Sequence, residues 1–402
     1  MSAGGVVRKS IFALLLAPCS LLLAPCFPPA PNLQPLTPGP VPLGLPSPLP
    51  VPADNLLTPE KIALGRRLFF DRRLSHNDTM SCAMCHIPTQ GFTVNETRLA
   101  VGINGQSTKR NPPALYNVAY LRVLFHDGRE FTLEDQVISP LTNPVEMANP
   151  SMGYVVNKVR TLPGYEEQFY STFSEGVSVA TLGKAIASYE RTLLSGNSPF
   201  DRWYFGKEQT AVSQEVKVGF KIFSGKGQCN TCHTVTKDTA LFTNQGFHNT
   251  GVAHLQLIPE KSIDVDLGGG LNVHMPRTQV NEVLTPPEQD RGRYEVTHEP
   301  TDLWRYKTPS LRNVAFTAPY MHNGALLTLD NVIDYYNHGG TGSEGQDPKV
   351  SPLHLTNEEK HALLAFLRSL TGDEVGVLAK EGATPSARVT VPLPSSRLKT
   401  RK

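Results

Sequence analysis

Cys82-Ala-Met-Cys85-His86 and Cys229-Asn-Thr-Cys232-His233 take four of the chain's six cysteines and follow each pair directly with a histidine. The pattern C-x-x-C-H is the attachment signature of c-type haem: two thiols form thioethers to the two vinyl groups, and the adjacent imidazole reaches the iron. A zinc ribbon would need its cysteine pairs about 15–20 residues apart, whereas these stand 147 apart. A thioredoxin-like pair has no use for a histidine twice. Structural disulfides are the plainest alternative in an exported chain. One motif in each half predicts a duplicated cytochrome c arrangement.

The remaining sequence agrees with a mostly helical protein of two domains. Its 402 residues carry 38 basic and 36 acidic side chains, so no strong field invites nucleic acid. No apolar run after residue 27 approaches the ~20 residues that cross a bilayer. With 32 glycines and 34 prolines, long structured loops are expected. Residues 1–26 read as a signal peptide, with Arg8 and Lys9 ahead of the apolar stretch Ser10 to Leu23. Covalent haem attachment follows export, so the protein is expected in the periplasm or at the cell surface. Cys19 and Cys26 end near-duplicate Leu-Leu-Ala-Pro-Cys segments that loosely suggest a lipid anchor. Residues 27–53, with 11 prolines and no charge, read as an extended spacer. The two cytochrome c domains are expected at 54–205 and 206–380, and a disordered basic tail at 381–402. Helices are expected after the N-cap Thr58, across 152–194, from Val212 to Phe223, and over 328–337 and 356–370.

The sixth coordination position separates an electron carrier from an enzyme. Between Thr89 and Tyr120 there is no His and no Met, and the first His afterwards is His126. The inference is an open first iron. Downstream, Gln136 and Glu146 are polar positions in a largely apolar stretch. A carboxylate above an open haem can move a proton between the two oxygens of a peroxide; the plainer reading is a solvated Glu beside a turn. For the second haem the candidates are Met275, Met321, His322, Tyr335 and Tyr336. Leu329, Val332, Ile333 and Tyr336 share one helical face, which points Tyr336 inward and leaves Tyr335 off it. A buried phenol needs a partner for its oxygen, either an ordinary hydrogen-bond acceptor or ferric iron.

The strings LGRRLFFDRRLS, SCAMCH, RNPPALYN, FHDGRE, TLEDQ, NPVEM, GKGQCNTCH and TPSLRNVAFTAPYMHNGALLTLDNVIDYY resemble the bacterial di-haem cytochrome c peroxidase and MauG family over about residues 55–375. The resemblance implies an all-α fold of two cytochrome c-like domains, with the haems facing the interface and one calcium ion between them. It makes His86 the proximal ligand of the reactive haem and His233 that of the electron-transfer haem. Glu146 matches the distal acid, with Gln136 and Pro140 lining the same pocket. Asn111 would give calcium a side-chain oxygen, and Thr317 and Pro319 backbone carbonyls. His322 matches the family position before Asn-Gly, near the interface.

Three departures shape the expected function. Peroxidases that need reductive activation carry a distal His about 16 residues after the first haem-binding His, where this chain has Gly102-Ile103. They also place Met on the second haem, 14 residues after the match of His322, where this chain has Tyr336, as MauG-like proteins do. A hard phenolate favours ferric and higher states over simple electron relay. The family usually has Trp between the haems where His126 stands, and the only tryptophans here are Trp203 and Trp304. Passage between the haems would then use another route or His126 itself. The expectation is an exported di-haem oxidoreductase that reacts with hydrogen peroxide and oxidises a residue, often Trp, in a partner protein. The alternative is a peroxidase that removes peroxide with electrons from a small cytochrome or copper protein. A pure electron carrier would have shown a sixth ligand after His86.

Overall fold

The computed structural model describes residues 35–36, 39–255, 262–266, 272–276 and 290–381, together with Met1. The expected signal peptide and basic tail lie outside the described residues, apart from Met1 and Glu381. Helices dominate, chiefly α1 (Pro59–Phe70), α2 (Val179–Glu190), α3 (Gln214–Ser224), α4 (Leu329–Asn337) and α5 (Asn357–Arg368). The sheet is minor: Phe247–His248 pairs antiparallel with Tyr306–Lys307, and Ser262–Asp266 with Asn272–Pro276.

α1 begins where Thr58 accepts a hydrogen bond from the Lys61 amide and Pro59 takes the first turn. Its buried face, Ile62, Leu64, Leu68 and Phe69, crosses α2. α3 crosses α5 in the same manner around Phe200, Phe223, Phe242 and Phe366. Both crossings need a glycine. A Cβ on Gly65 would sit 1.9 Å from the Ala185 carbonyl, and one on Gly219 would sit 1.9 Å from the Ala362 carbonyl.

The duplication also shows between the helices, at a constant offset of 196 positions. Pro113-Ala-Leu-Tyr-Asn117-Val-Ala recurs as Pro309-Ser-Leu-Arg-Asn313-Val-Ala, and both asparagines take φ 61°. His126-Asp127-Gly128 recurs as His322-Asn323-Gly324. Thr132 and Thr328 then each cap a helix with their hydroxyls. In this register Tyr336 falls opposite Pro140, and Lys307 opposite Asn111.

Two segments pack across the expected domain boundaries. The helix Pro199–Tyr204 already belongs to the second core, because Phe200 sits at the centre of its aromatic cluster. At the other end Val375 and Leu378 return to the first core. The proline-rich segment is also more than a spacer from residue 39 on. Leu45 and Leu49 are buried with Leu57, Ile62 and Tyr120, and Val41 and Val51 pack alongside. The Gly44 carbonyl accepts from the Ala240 amide and Arg312 Nη2, each at 2.9 Å. Leucines and valines between the prolines supply apolar contacts, while proline lowers the entropy lost on ordering the strap.

Arg312 closes this junction. Its Nη1 and Nη2 meet the two Asp201 carboxylate oxygens at 2.8 and 3.0 Å, and Nε donates to the Ala240 carbonyl. Arg312 is 2% exposed and Asp201 fully buried. Arg312→Met strands that carboxylate, so denaturant unfolding of the purified protein is expected to show a loss of about 3–5 kcal/mol.

Candidate functional site

Each motif stands in the wall of its own cavity. Cys82, Cys85 and His86 line the first. Cys229, Cys232 and His233 line the second. All four thiols are free. Burial pushes Cys82 and Cys229 up to about 12 and Cys85 to about 11. Burial acts on Cys232 too, but the hydrogen bond and charge of His248 hold it below the usual thiol value.

The two histidines are held alike. His86 Nδ1 lies 3.0 Å from the Phe92 carbonyl and His233 Nδ1 lies 2.9 Å from the Phe242 carbonyl. A carbonyl only accepts, so Nδ1 carries the proton and Nε2 is left as the ligating nitrogen. Burial depresses both rings, His233 to about 4, so both are neutral at pH 7. Thiols, a tethered neutral imidazole and an adjoining cavity, found twice, fit two c-type haems.

Gln136, Pro140 and Glu146 line the first cavity, together with Arg129, Asn143 and Glu190. Asn143 Nδ2 donates to Glu146 Oε1 at 2.8 Å. Burial raises the Glu146 pKa against the opposing pull of Arg129 and Asn143. The segment at Gly102-Ile103 carries no ligand but buttresses this carboxylate. The Ile103 amide donates to the carbonyls of Val145 and Glu146, and a Cβ on Gly102 would fall 2.0 Å from the Val145 oxygen. Met80 and Met147 also reach this wall, and both are buried in the first apolar core.

Glu190 is the residue that sequence reading missed here. It ends α2, is 5% exposed, and burial pushes its pKa up to about 8. A carboxylate within the apolar run of α2 was the available signal.

The second cavity is lined by Met321, His322 and Tyr336, and by Leu329, Val332 and Ile333 on the same face of α4. Tyr335 departs from expectation because it too is buried. Its hydroxyl donates to the Thr250 carbonyl at 2.7 Å, an ordinary hydrogen-bond acceptor. Burial raises the Tyr336 phenol. His322 stacks flat on Tyr306, with centroids 3.5 Å apart. Met275 lies on a strand whose side chains are outside the described residues.

Asn111, Pro112, Pro113 and His126 line both cavities and form the wall between them. The halves are sewn together there reciprocally: the Asn111 amide donates to the His322 carbonyl and the Lys307 amide to the His126 carbonyl, both at 2.7 Å. His126 Nε2 lies 2.9 Å from the Asn111 carbonyl, and burial drops its pKa to about 4, so the ring is neutral. Beside it Arg110 binds Asp127 at 2.5 Å and Asp290 at 2.6 Å, joining the two halves ionically. Of the residues expected to bind calcium, Asn111 offers a side-chain oxygen and Thr317 and Pro319 offer backbone carbonyls. Thr317 and Pro319 line the second cavity near Asn111, whose Nδ2 donates to the Val94 and Arg98 carbonyls, leaving Oδ1 as acceptor beside Thr93.

A mostly helical chain with two such cavities and one shared wall is a di-haem c-type oxidoreductase. The sequence profile of the di-haem cytochrome c peroxidase family matches residues 59–209. The chain is 36% identical to methylamine utilization protein MauG of Methylorubrum extorquens, covering 83% of this chain and 84% of that protein. It is 35% identical to cytochrome-c peroxidase IdrP1 of Denitromonas iodatirespirans, over 83% of this chain and 87% of that one. Among solved structures, a MauG-like protein associated with microbial copper homeostasis superposes with a TM-score of 0.69 at 30% identity, over 87% of this chain and 98% of that chain. The chain therefore belongs to the di-haem cytochrome c peroxidase and MauG family.

Proposed function

We propose that this protein reacts with hydrogen peroxide in the first cavity and uses the oxidising equivalents, by way of the second, on a residue of a partner protein. The observation that carries this reading is the asymmetry of the duplication. Pro140, which offers no ligand atom, stands where Tyr336 stands in the second half. When bound, the haems supply peroxide binding and electron storage. His86 and His233 would hold them through Nε2, and Cys82, Cys85, Cys229 and Cys232 would attach them covalently. Glu146 takes a proton from one peroxide oxygen and returns it to the other, oriented by Asn143 and flanked by Gln136. Tyr336 would help to hold the second haem with its phenol oxygen, and neutral His126 stands in the wall between the cavities. Asn111 Oδ1 with the carbonyls of Thr317 and Pro319 is an oxygen donor set suited to calcium, with water completing it. We further assign residues 1–26 as an export signal, with lipid anchoring at Cys19 or Cys26 as the alternative fate.

A second reading, peroxide removal with electrons from a small cytochrome or copper protein, is favoured by the nearly equal identity to a relative named as a peroxidase. Turnover by the purified full chain, with peroxide and a reduced small cytochrome as the sole donor, separates the two. Our reading expects slow donor oxidation that does not rise with donor concentration. Fast, donor-limited turnover would favour peroxide removal.

The Gly102 buttress gives a further expected result. Gly102→Ala pushes on the Val145 carbonyl and so on the Glu146 backbone. Peroxide reactivity should fall about 10-fold or more while haem content stays at two, since misplacement of about 1 Å costs on the order of 100-fold.

A further inference from the structure

We propose that the Lys307 ammonium is the internal counter-ion for a carboxylate of the haem in the second cavity, and that its charge raises that haem's reduction potential relative to the first. The inference rests on the two-haem reading above and adds a residue to it.

Lys307 is placed firmly. Its strand pairs with Phe247–His248, its amide donates to the His126 carbonyl, and the residue lines the second cavity. The other cations of this wall are accounted for. Arg312 is closed by Asp201, and Lys349 is exposed to solvent. The Lys307 ammonium has no hydrogen bond or ion pair among the described residues, and desolvation alone lowers its pKa to about 8 with no anion opposing it. A cation withdrawn from water without a partner is costly. Haem carries two carboxylates, and seating it in this cavity brings the missing anion.

The duplication gives the asymmetry. The residue that matches Lys307 in the first half is Asn111, which is neutral. Lys307 also sits close enough to His126 for its charge to depress the basicity of that ring. One charge thus acts on the second haem and on the wall between the haems. A fixed positive charge stabilises the form with one more electron, so the second haem becomes easier to reduce.

The test is a spectroelectrochemical titration of the full haem-loaded chain, with the second haem followed by its low-spin signal. Lys307→Gln, Lys307→Met and Lys307→Arg are compared with the parent. Both neutral variants should lower the reduced-to-oxidised ratio of the second haem at least tenfold at fixed potential, equivalent to 59 mV for one electron. The first haem should move much less, and Arg should restore most of the shift. An unmoved second-haem potential in either neutral variant with two haems bound overturns the proposal. So does an Arg variant that shifts as far as Gln, which marks a packing role. A parent protein that carries fewer than two haems by pyridine haemochromogen assay would instead fail the reading on which the inference rests.

Discussion

Glu146→Gln is expected to slow the reaction with peroxide by about 10²–10⁴-fold, the range that a positioned acid–base group contributes. The substitution keeps the shape and leaves a hydrogen-bond partner for Asn143, so the cavity should remain intact. What it removes is the ability to take up and release a proton. The effect should therefore appear in the rate of the peroxide-induced absorption change and leave haem content untouched. The pH profile adds a sign. Burial is the largest influence on Glu146 and raises its pKa above the ordinary carboxylate value. As the base must be ionised to accept a proton, the parent rate should rise with pH through a midpoint above the ordinary carboxylate range. That limb should vanish in the Gln variant. A Gln variant that reacts at the parent rate would remove Glu146 from the proton path.

Tyr336→Met should raise the potential of the second haem by on the order of a few hundred millivolts, within the ~0.8 V span that axial ligands cover. A phenolate stabilises the ferric state, whereas a Met/His pair raises the potential. Tyr336→Phe removes the oxygen without offering a replacement, so the low-spin signal of the second haem should be lost or altered. Tyr335→Phe is the control, because the Tyr335 hydroxyl is spent on the Thr250 carbonyl. Redox titration and paramagnetic resonance read both outcomes. Should Tyr336→Phe leave the spectrum as it was, Met321 and His322 in the same wall become the alternatives.

Much of the candidate site was legible in the sequence because its chemistry is local. A C-x-x-C-H string carries both thiols and the imidazole on one short turn, so two strings place two sites without tertiary knowledge. The face of α4 that carries Tyr336 follows from 3.6-residue periodicity, and the cavity wall uses that face. Tyr335 shows the limit of the same argument. Periodicity says which face meets one neighbour, and Tyr335 is buried against a second, the chain around Thr250. Lys307 and Glu190 were not legible for a related reason. Each is one charged residue whose burial depends on chain brought from far away in sequence. The proline-rich strap fails differently. Its composition speaks against a core of its own, yet it folds onto a surface that other residues supply, held by Arg312 and the Gly44 carbonyl. The 196-residue repeat lies openly in the sequence, but its use, setting Pro140 against Tyr336, needed both cavities in view.

The central claim is that the first cavity is open to peroxide without prior reduction and communicates with the second. A peroxide titration of the as-isolated ferric protein, followed by absorption and paramagnetic resonance, tests it most directly. Our account expects a prompt change in the signals of both haems at the first equivalents of peroxide, with no reductant present. Silence until one haem has been reduced would contradict it. That result would mean a sixth ligand on the first haem that reduction must remove.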